Sequence, residues 1–358
     1  MKTLITKEYD VLEVRGGPYD RGFLYGVHNR EKLKKHLESH KDFYAKYTTT
    51  TFDEATREAA KYIKPTKDYS EMVWNELRGT ADGSGLSLAE LMVITLFDPR
   101  PSAGCTAFAV TGEATVNGVT YVGQNNDEAI DPWMSGDCTT LTRYVQSDAP
   151  NALIYTYAGI PAMMGINSAG LCVLLNALVS KESRIGVPNL VVVREVMNQD
   201  SLEGALHEIE RSNMSSAQNF VIGSPDGIID VEYYPDGIKT FRPKDMLWHT
   251  NHCLYSEGNR YEDDDYRLNS VTRCSRIEAL LRAGRGRLDL KTLQDFLSDH
   301  DGMPNSICWH VNPAKPGDRR LKTLDSMIYL PESREAWIAK GNPCETAFVK
   351  YSLSAAHG

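Results

Sequence analysis

Between residues 20 and 47 the apolar positions Phe23, Leu24, Val27, Leu33 and Leu37 recur at helical spacing among many charges, which predicts helix. Residues 53–79 continue the pattern, with a break expected at Pro65. Ser87-Leu88-Ala89-Glu90 has the form of a capping box, and the apolar run to Phe97 predicts a further helix. Asp98-Pro99-Arg100-Pro101-Ser102-Ala103-Gly104 packs two prolines and a glycine into seven residues and reads as a loop. At Cys105 the period changes from helical to alternating. Strands are expected at 105–111, 118–124, 139–146, 153–157 and 171–176, parted by turn signals such as Val116-Asn117-Gly118. Helices follow at 188–198 and 201–212, then strands at 218–223, 228–234, 238–242 and 246–251. The pattern ends with helices at 266–282 and 290–299 and strands at 305–311, 322–330 and 345–351.

Strands in blocks and helices in blocks predict a layered α+β fold rather than regular βαβ repeats. Segments 1–104 and 105–358 differ too much in character to be copies of one unit, and neither completes a two-layer domain alone. An apolar share of 41% over 358 residues is enough for a core that needs no disulfide or metal staple. A net charge of −9 argues against nucleic acid or an anionic membrane as the main partner. The start, MKTLITKEYDVLEV, has charges that interrupt any signal-peptide core, and no stretch approaches the ~20 apolar residues of a membrane helix. The ending Ala355-Ala356-His357-Gly358 matches no peroxisomal or retention address, so a cytoplasmic protein is expected. The seven cysteines are odd in number and irregular in spacing, which in a reducing compartment argues against structural disulfides. None forms a CxxC pair, so no structural zinc and no cofactor is expected.

One cysteine stands apart. Cys105 lies where the proline-rich loop becomes a strand, between Gly104 and Thr106. A glycine there allows the unusual backbone angles of an attackable carbonyl. Attack by the Cys105 thiol on the Gly104 carbonyl, followed by hydrolysis, would free the α-amine of Cys105. Such an amine has an ordinary pKa of about 7.7–8.0 and can serve as base for its own thiol. The bland alternative is a buried cysteine opening a core strand, the common fate of free cysteine.

Gly104-Cys105-Thr106-Ala107-Phe108, followed by Gly123-Gln124-Asn125-Asn126-Asp127, resembles the acyl-coenzyme A:6-aminopenicillanic acid acyltransferase family of N-terminal-nucleophile hydrolases, also classed as cysteine peptidases. Further similar stretches follow in order: Met164-Gly165-Ile166-Asn167-Ser168-Ala169-Gly170-Leu171, Asn176, Thr250-Asn251-His252, Asp299-His300, Ser306-Ile307-Cys308 and Gly341-Asn342-Pro343-Cys344. An early Arg15-Gly16-Gly17-Pro18-Tyr19 with Gly22 and Gly26 is also similar. The resemblance spans nearly the whole chain. It implies a four-layer αββα sandwich and cleavage between Gly104 and Cys105. Residues 1–104 would become a helical pro-segment or α subunit, and 105–358 a catalytic β subunit, together one domain. Carried over by position, Cys105 is the nucleophile, Asp127 holds the new α-amine, and Asn251 and Asn176 serve the oxyanion. Thr106, Asn126, Ser306 and Trp309 are the expected substrate-facing residues. Two departures stand out. Asn126 replaces an aromatic residue common in the family, and Trp309 replaces an arginine, which puts the usual anionic group of the substrate in doubt.

The implied activity is hydrolysis of a linear amide, N-acyl or peptide-like, or acyl transfer from a thioester to an amine. The expected partner is a small amide or acyl-thioester, with no nucleic acid or membrane partner. The processed α/β heterodimer would stand alone or build a higher homo-oligomer. Two alternatives remain at this point: an unprocessed binding or scaffold protein of the same fold, and a peptidase pairing Cys105 with a distant histidine such as His252. His249 and His252 lack a third nearby ligand, so they are not read as a metal site, and His252 is expected to orient the Asn251 loop. Ser168 lacks the flanks of a nucleophile elbow, Gly284-Arg285-Gly286 lacks a dinucleotide motif, and the acidic run 262–265 lacks calcium-loop spacing.

Overall fold

A computed structural model describes residues 4–96, 104–129, 138–178, 184–255, 264–314 and 320–353. The proline-rich stretch 98–103, the side chains of the acidic run 262–265 and the terminal 354–358 lie outside them. The change of period at Cys105 is where helix gives way to sheet. Before it, among the described residues, come one short strand, β1 (Val11–Arg15), and six α-helices: α1 (Pro18–His28), α2 (Arg30–Tyr47), α3 (Phe52–Ala59), α4 (Ile63–Tyr69), α5 (Glu71–Ser84) and α6 (Leu88–Leu96). The expected break comes just ahead of Pro65, where a 3₁₀ turn at Ala60–Tyr62 parts α3 from α4, and Pro65 falls in the first turn of α4, where its missing N–H costs nothing. A second break comes at Ser70, whose side chain caps α5. The capping box at Ser87 is present, with Glu90 N donating to Ser87 Oγ at 3.2 Å and Ser87 N to the Glu90 carboxylate at 2.9 Å.

After it come β2 (Gly104–Gly112), β3 (Gly118–Ala129), β4 (Thr139–Val145), β5 (Ala152–Tyr157), β6 (Met164–Asn167) and β7 (Cys172–Ala177). Helices α7 (Asn189–Val196) and α8 (Leu202–Arg211) lead to β8 (Gln218–Ser224), β9 (Gly227–Tyr234), β10 (Gly237–Phe241) and β11 (Met246–His249). Helices α9 (Asp264–Gly284) and α10 (Leu290–Leu297) precede β12 (Leu321–Leu330), β13 (Glu335–Lys340) and β14 (Val349–Ser352). The strands form two sheets, of order β1-β4-β5-β6-β7-β8-β9-β10 and β11-β2-β3-β12-β13-β14. Every pairing is antiparallel except β1 beside β4.

The layering follows from strand alternation. On β2, Ala107 and Ala109 face the larger sheet and share a core with its inward-facing Leu174 and Val221. Phe108 and Val110 face the other way, onto Ile277 and Leu281 of α9 and Leu293 and Leu297 of α10. Both faces of β2 are buried, so the strand reads as a continuous apolar run. The N-terminal helices with α7 and α8 cover the outer face of the larger sheet. The stack is helices, sheet, sheet, helices, the αββα sandwich expected from the resemblance.

Residues 305–311 do not form the expected strand. Their backbone groups bond instead to Asp299 O, through Cys308 N at 2.9 Å, and to Thr323, through Trp309 at 2.9 Å. Strands β1, β6 and β13 were not anticipated separately, being short or folded into a glycine-rich hairpin. The early glycines have a packing cause. A Cβ on Gly22 would meet Glu76 O at 2.0 Å, and one on Gly79 would meet Tyr19 O at 2.1 Å, so α1 and α5 cross backbone to backbone. Gly22→Ala is therefore expected to lower stability by about 1–3 kcal/mol or more through overpacking. Gly237→Ala, which meets nothing within 4 Å, should leave the denaturant midpoint almost unchanged.

Candidate active site

The first residues of β2 lie at one end of the smaller sheet. Antiparallel pairing sets Gly104 beside Asp127 and Cys105 beside Asn126 near the end of β3, while β12 brings Thr323 against Asp127. Strand β11 ends at His249, two residues before Asn251, and the end of β7 supplies Asn176 and Ala177. Two sheets and the helix α9 thus converge on Cys105, which is buried at 7% exposure.

The backbone N–H of Cys105 donates to Asn251 Oδ1 at 2.8 Å. That oxygen also accepts Arg273 Nη2 at 2.9 Å. Arg273 Nη1 donates to the Cys105 carbonyl and, at 3.0 Å, to Thr106 Oγ1, while Nε donates to Asn269 Oδ1 at 2.8 Å. The fully buried guanidinium also lies 5.5 Å from the centre of the Trp309 ring. A Cβ on Gly104 would come within 2.9 Å of that ring and 3.3 Å of Asp127 Cβ, so only glycine fits before the cysteine.

Asp127 is wholly buried. Thr323 Oγ1 donates to its Oδ1 at 2.6 Å, while its Oδ2 has no partner among the described residues. Burial pushes this carboxyl up to about 7, against the opposing pull of Arg273 and the Thr323 bond. Burial likewise pushes the Cys105 thiol up to about 12; Asp127 adds to the rise and Arg273 opposes it. Within the continuous chain the thiol is therefore held in its neutral form.

The expected residues sit close together but not all in the expected poses. Asn251 turns its oxygen toward Cys105 N and donates Nδ2 to Ala177 O at 3.2 Å, rather than presenting that amide to an open site. Asn176 donates to His249 O at 3.3 Å, leaving its Oδ1 unpartnered among the described residues. Thr106 is held by Arg273, Asn126 donates to Tyr157 Oη at 2.7 Å, and Ser306 donates to Cys308 O at 2.8 Å. All three are buried and bonded internally. Trp309 faces Gly104 and Arg273. Nδ1 of His252 lies 2.8 Å from Ser270 Oγ, which accepts Asn251 N at the same distance, so this histidine orients the Asn251 loop. Burial pulls it down to about 4. No histidine is hydrogen-bonded to Cys105 among the described residues, so the Cys-His alternative gains no support.

Arg273 was not singled out in the sequence. The usable signal was a helix face: Asn269 and Arg273 stand four apart on α9, beside Ile277 and Leu281 at the same apolar spacing, and a basic residue in that phase must be buried.

Residues 114–345 match the acyl-coenzyme A:6-aminopenicillanic acid acyl-transferase family. The match includes Asp127, Asn176, Asn251, Arg273 and Trp309 and begins after Gly104-Cys105. The 40 kDa form of acyl-coenzyme A:6-aminopenicillanic-acid-acyltransferase from Emericella nidulans is 24% identical over 355 residues, covering 94% of this chain and 95% of that protein. Penicillin V acylase from Agrobacterium tumefaciens is a looser structural likeness, with TM-score 0.48, 13% identity, and coverage of 70% of this chain and 86% of that one. A mutant of conjugated bile acid hydrolase from Clostridium perfringens gives TM-score 0.46 and 12% identity over 71% of this chain and 99% of that one. No described helix is long and apolar enough to cross a membrane. With the family's pattern covering more than half its length, the chain belongs to the acyl-coenzyme A:6-aminopenicillanic acid acyl-transferase family and, with it, to the enzymes of the acyltransferase and amidohydrolase class.

Proposed function

We propose that the chain cuts itself between Gly104 and Cys105 and then hydrolyses a small linear amide with the Cys105 thiol. The observation that carries this reading is the orphaned Oδ2 of Asp127, a buried acceptor beside Gly104 with no described partner. A buried acceptor left unmade is costly, on the order of 1–3 kcal/mol. An α-amine formed at Cys105 would supply the missing donor.

In the first step the Cys105 sulfur bonds to the Gly104 carbonyl carbon, the C–N bond breaks, and the thiol proton passes to the freed nitrogen. Water then hydrolyses the thioester, leaving a Gly104 carboxylate and a Cys105 with both thiol and α-amine. Asn251 Oδ1 already accepts from that nitrogen and would go on orienting it. The free amine draws the proton from its own thiol, an arrangement that needs no histidine. The Arg273 charge favours the thiolate, as its influence on the thiol already indicates.

In turnover the thiolate attacks the substrate carbonyl. The α-ammonium returns its proton to the leaving amine as the C–N bond breaks, and water resolves the thioester to a carboxylic acid. An acceptor amine in place of water would give acyl transfer. Hydrolysis is the simpler reading because it needs no second binding site. Asn176, at the end of β7, and Asn251 Nδ2, which reaches that strand end from the loop after β11, are the proposed oxyanion donors. Trp309, beside the nucleophile in place of an arginine, favours an apolar or ring-bearing acyl group over an anionic one. The cut would divide the chain into subunits 1–104 and 105–358 of one fold, held by the β1–β4 pairing across the junction.

Intact mass of the purified protein should show fragments 1–104 and 105–358, and Cys105→Ala should remain a single inactive chain. A fully active Cys105→Ala would end the proposal. Asn251→Ala should lower turnover of a processed chain by about 10²–10³-fold if it serves the oxyanion, measured with N-acyl amines under mass detection. The buried Asp127 gives a separate test in the uncut Cys105→Ala chain. Its folded pKa, about 7, lies above the ordinary carboxylate value, so the folded state holds the extra proton. Its contribution to stability therefore falls as pH rises from about 4 to 7 and levels off above that, by about 4 kcal/mol in all. Asp127→Asn in the same background should flatten that part of the stability–pH curve measured by denaturant unfolding.

A further inference from the structure

Four side chains that play no part in the chemistry above converge on one point. His300 follows α10, Cys308 and His310 lie in the segment before β12, and Cys344 lies in the turn between β13 and β14. Their four ligand-capable atoms all lie within 4.8 Å of one another. Cys308 Sγ is 3.7 Å from Cys344 Sγ and 3.6 Å from His310 Nε2. His310 Nε2 is 3.3 Å from Cys344 Sγ and 3.0 Å from His300 Nε2. Tetrahedral zinc with ordinary bond lengths would separate two sulfurs by ~3.8 Å, sulfur from nitrogen by ~3.6 Å, and two nitrogens by ~3.3 Å. The four measured separations fall within a few tenths of an ångström of those values.

We propose that His300, Cys308, His310 and Cys344 form a structural zinc site. Two thiolates with two imidazoles are a donor set suited to zinc, and four protein ligands close the tetrahedron, leaving no position for substrate or water. The absence of a CxxC pair does not count against it, because the ligands come from three separate segments that only the fold brings together. The surroundings suit a coordinated sulfur. Asn342 Nδ2 lies 3.6 Å from Cys308 Sγ and also donates to Trp309 O at 2.8 Å. The Asn342 carbonyl is held in turn by Thr346 Oγ1 at 2.6 Å. Arg276 pairs with Asp299 at 2.7 Å, and the Asp299 carbonyl receives Cys308 N, which anchors the segment from the other side.

The site has a consequence for the nucleophile. Trp309 lies between two of the ligands, and its ring packs against Gly104 and the Arg273 guanidinium. Zinc would fix the chain on both sides of Trp309 and tie it to the 342–346 turn. The metal would thus hold one wall of the Cys105 site without touching the reacting atoms.

Metal analysis of the full chain, purified without chelator, should find about one zinc per molecule, a stoichiometry expected of one closed four-ligand site. Cobalt substitution should give the visible spectrum of a tetrahedral S₂N₂ centre. Cys344→Ser and His300→Ala should each reduce bound metal to background. Asn342→Ala should keep the ligands but weaken zinc about 10–100-fold in competition with a chelator. These readouts are independent of activity, and the wild-type stoichiometry stands even if a variant fails to fold. Folded protein with no metal and no tetrahedral cobalt spectrum would overturn the proposal. So would a Cys308–Cys344 disulfide in protein purified under reducing conditions, or zinc retained in a chain lacking both Cys344 and His300.

Discussion

The buried guanidinium of Arg273 is the constraint on which the rest of the site depends. Moving such a charge out of water costs several kcal/mol unless its donors are satisfied. Here they reach Asn269, the Cys105 carbonyl, Thr106 and Asn251, so satisfying one cation fixes Cys105 and Thr106 of β2, the Asn251 loop and α9 together. Across the same strand end Asp127 is also buried, and its own pKa is raised despite that cation. The buried guanidinium and the buried carboxyl flank a neutral thiol. The guanidinium is held by neighbours that a shift of β2 by one residue would strip away, since such a slip would turn Cys105 from the sheet interface to the helix layer.

Much of this was legible in the sequence because the physics was local. The change of hydrophobic period at Cys105 marks the start of β2, and the capping box at Ser87 marks the start of α6. The antiparallel partners of Gly104 and Cys105 come from the Gly123–Asp127 stretch that resembled the family's pattern. What escaped was non-local. Arg273 and its four acceptors are spread over more than 160 residues of sequence, and no local pattern announces them. The segment 305–311 has the composition of a strand, but its backbone bonds are taken by Asp299 and Thr323. Pro65 fits a helix start as well as a helix stop, and only the neighbouring turns decide which. Gly22 and Gly79 look permissive in sequence, yet they are fixed by an approach of two backbones that only the assembled helices create.

The same distinction separates a site's parts from its assembly. Four Cys and His residues that gave no metal pattern in sequence lie around one point in the fold, and the residue between two of them is the tryptophan over Gly104. The replacement of arginine by Trp309 likewise makes sense beside Arg273, which brings a cation to this region from the helix layer.

The most direct measurement follows chain cleavage and turnover together in a slowly processing variant such as Cys105→Ser, sampled over time. The fraction of chains with residue 105 at a free N-terminus, quantified by terminal labelling, should rise in proportion to amidase activity. Activity already complete while the peptide link from Gly104 to residue 105 remains intact would contradict the mechanism.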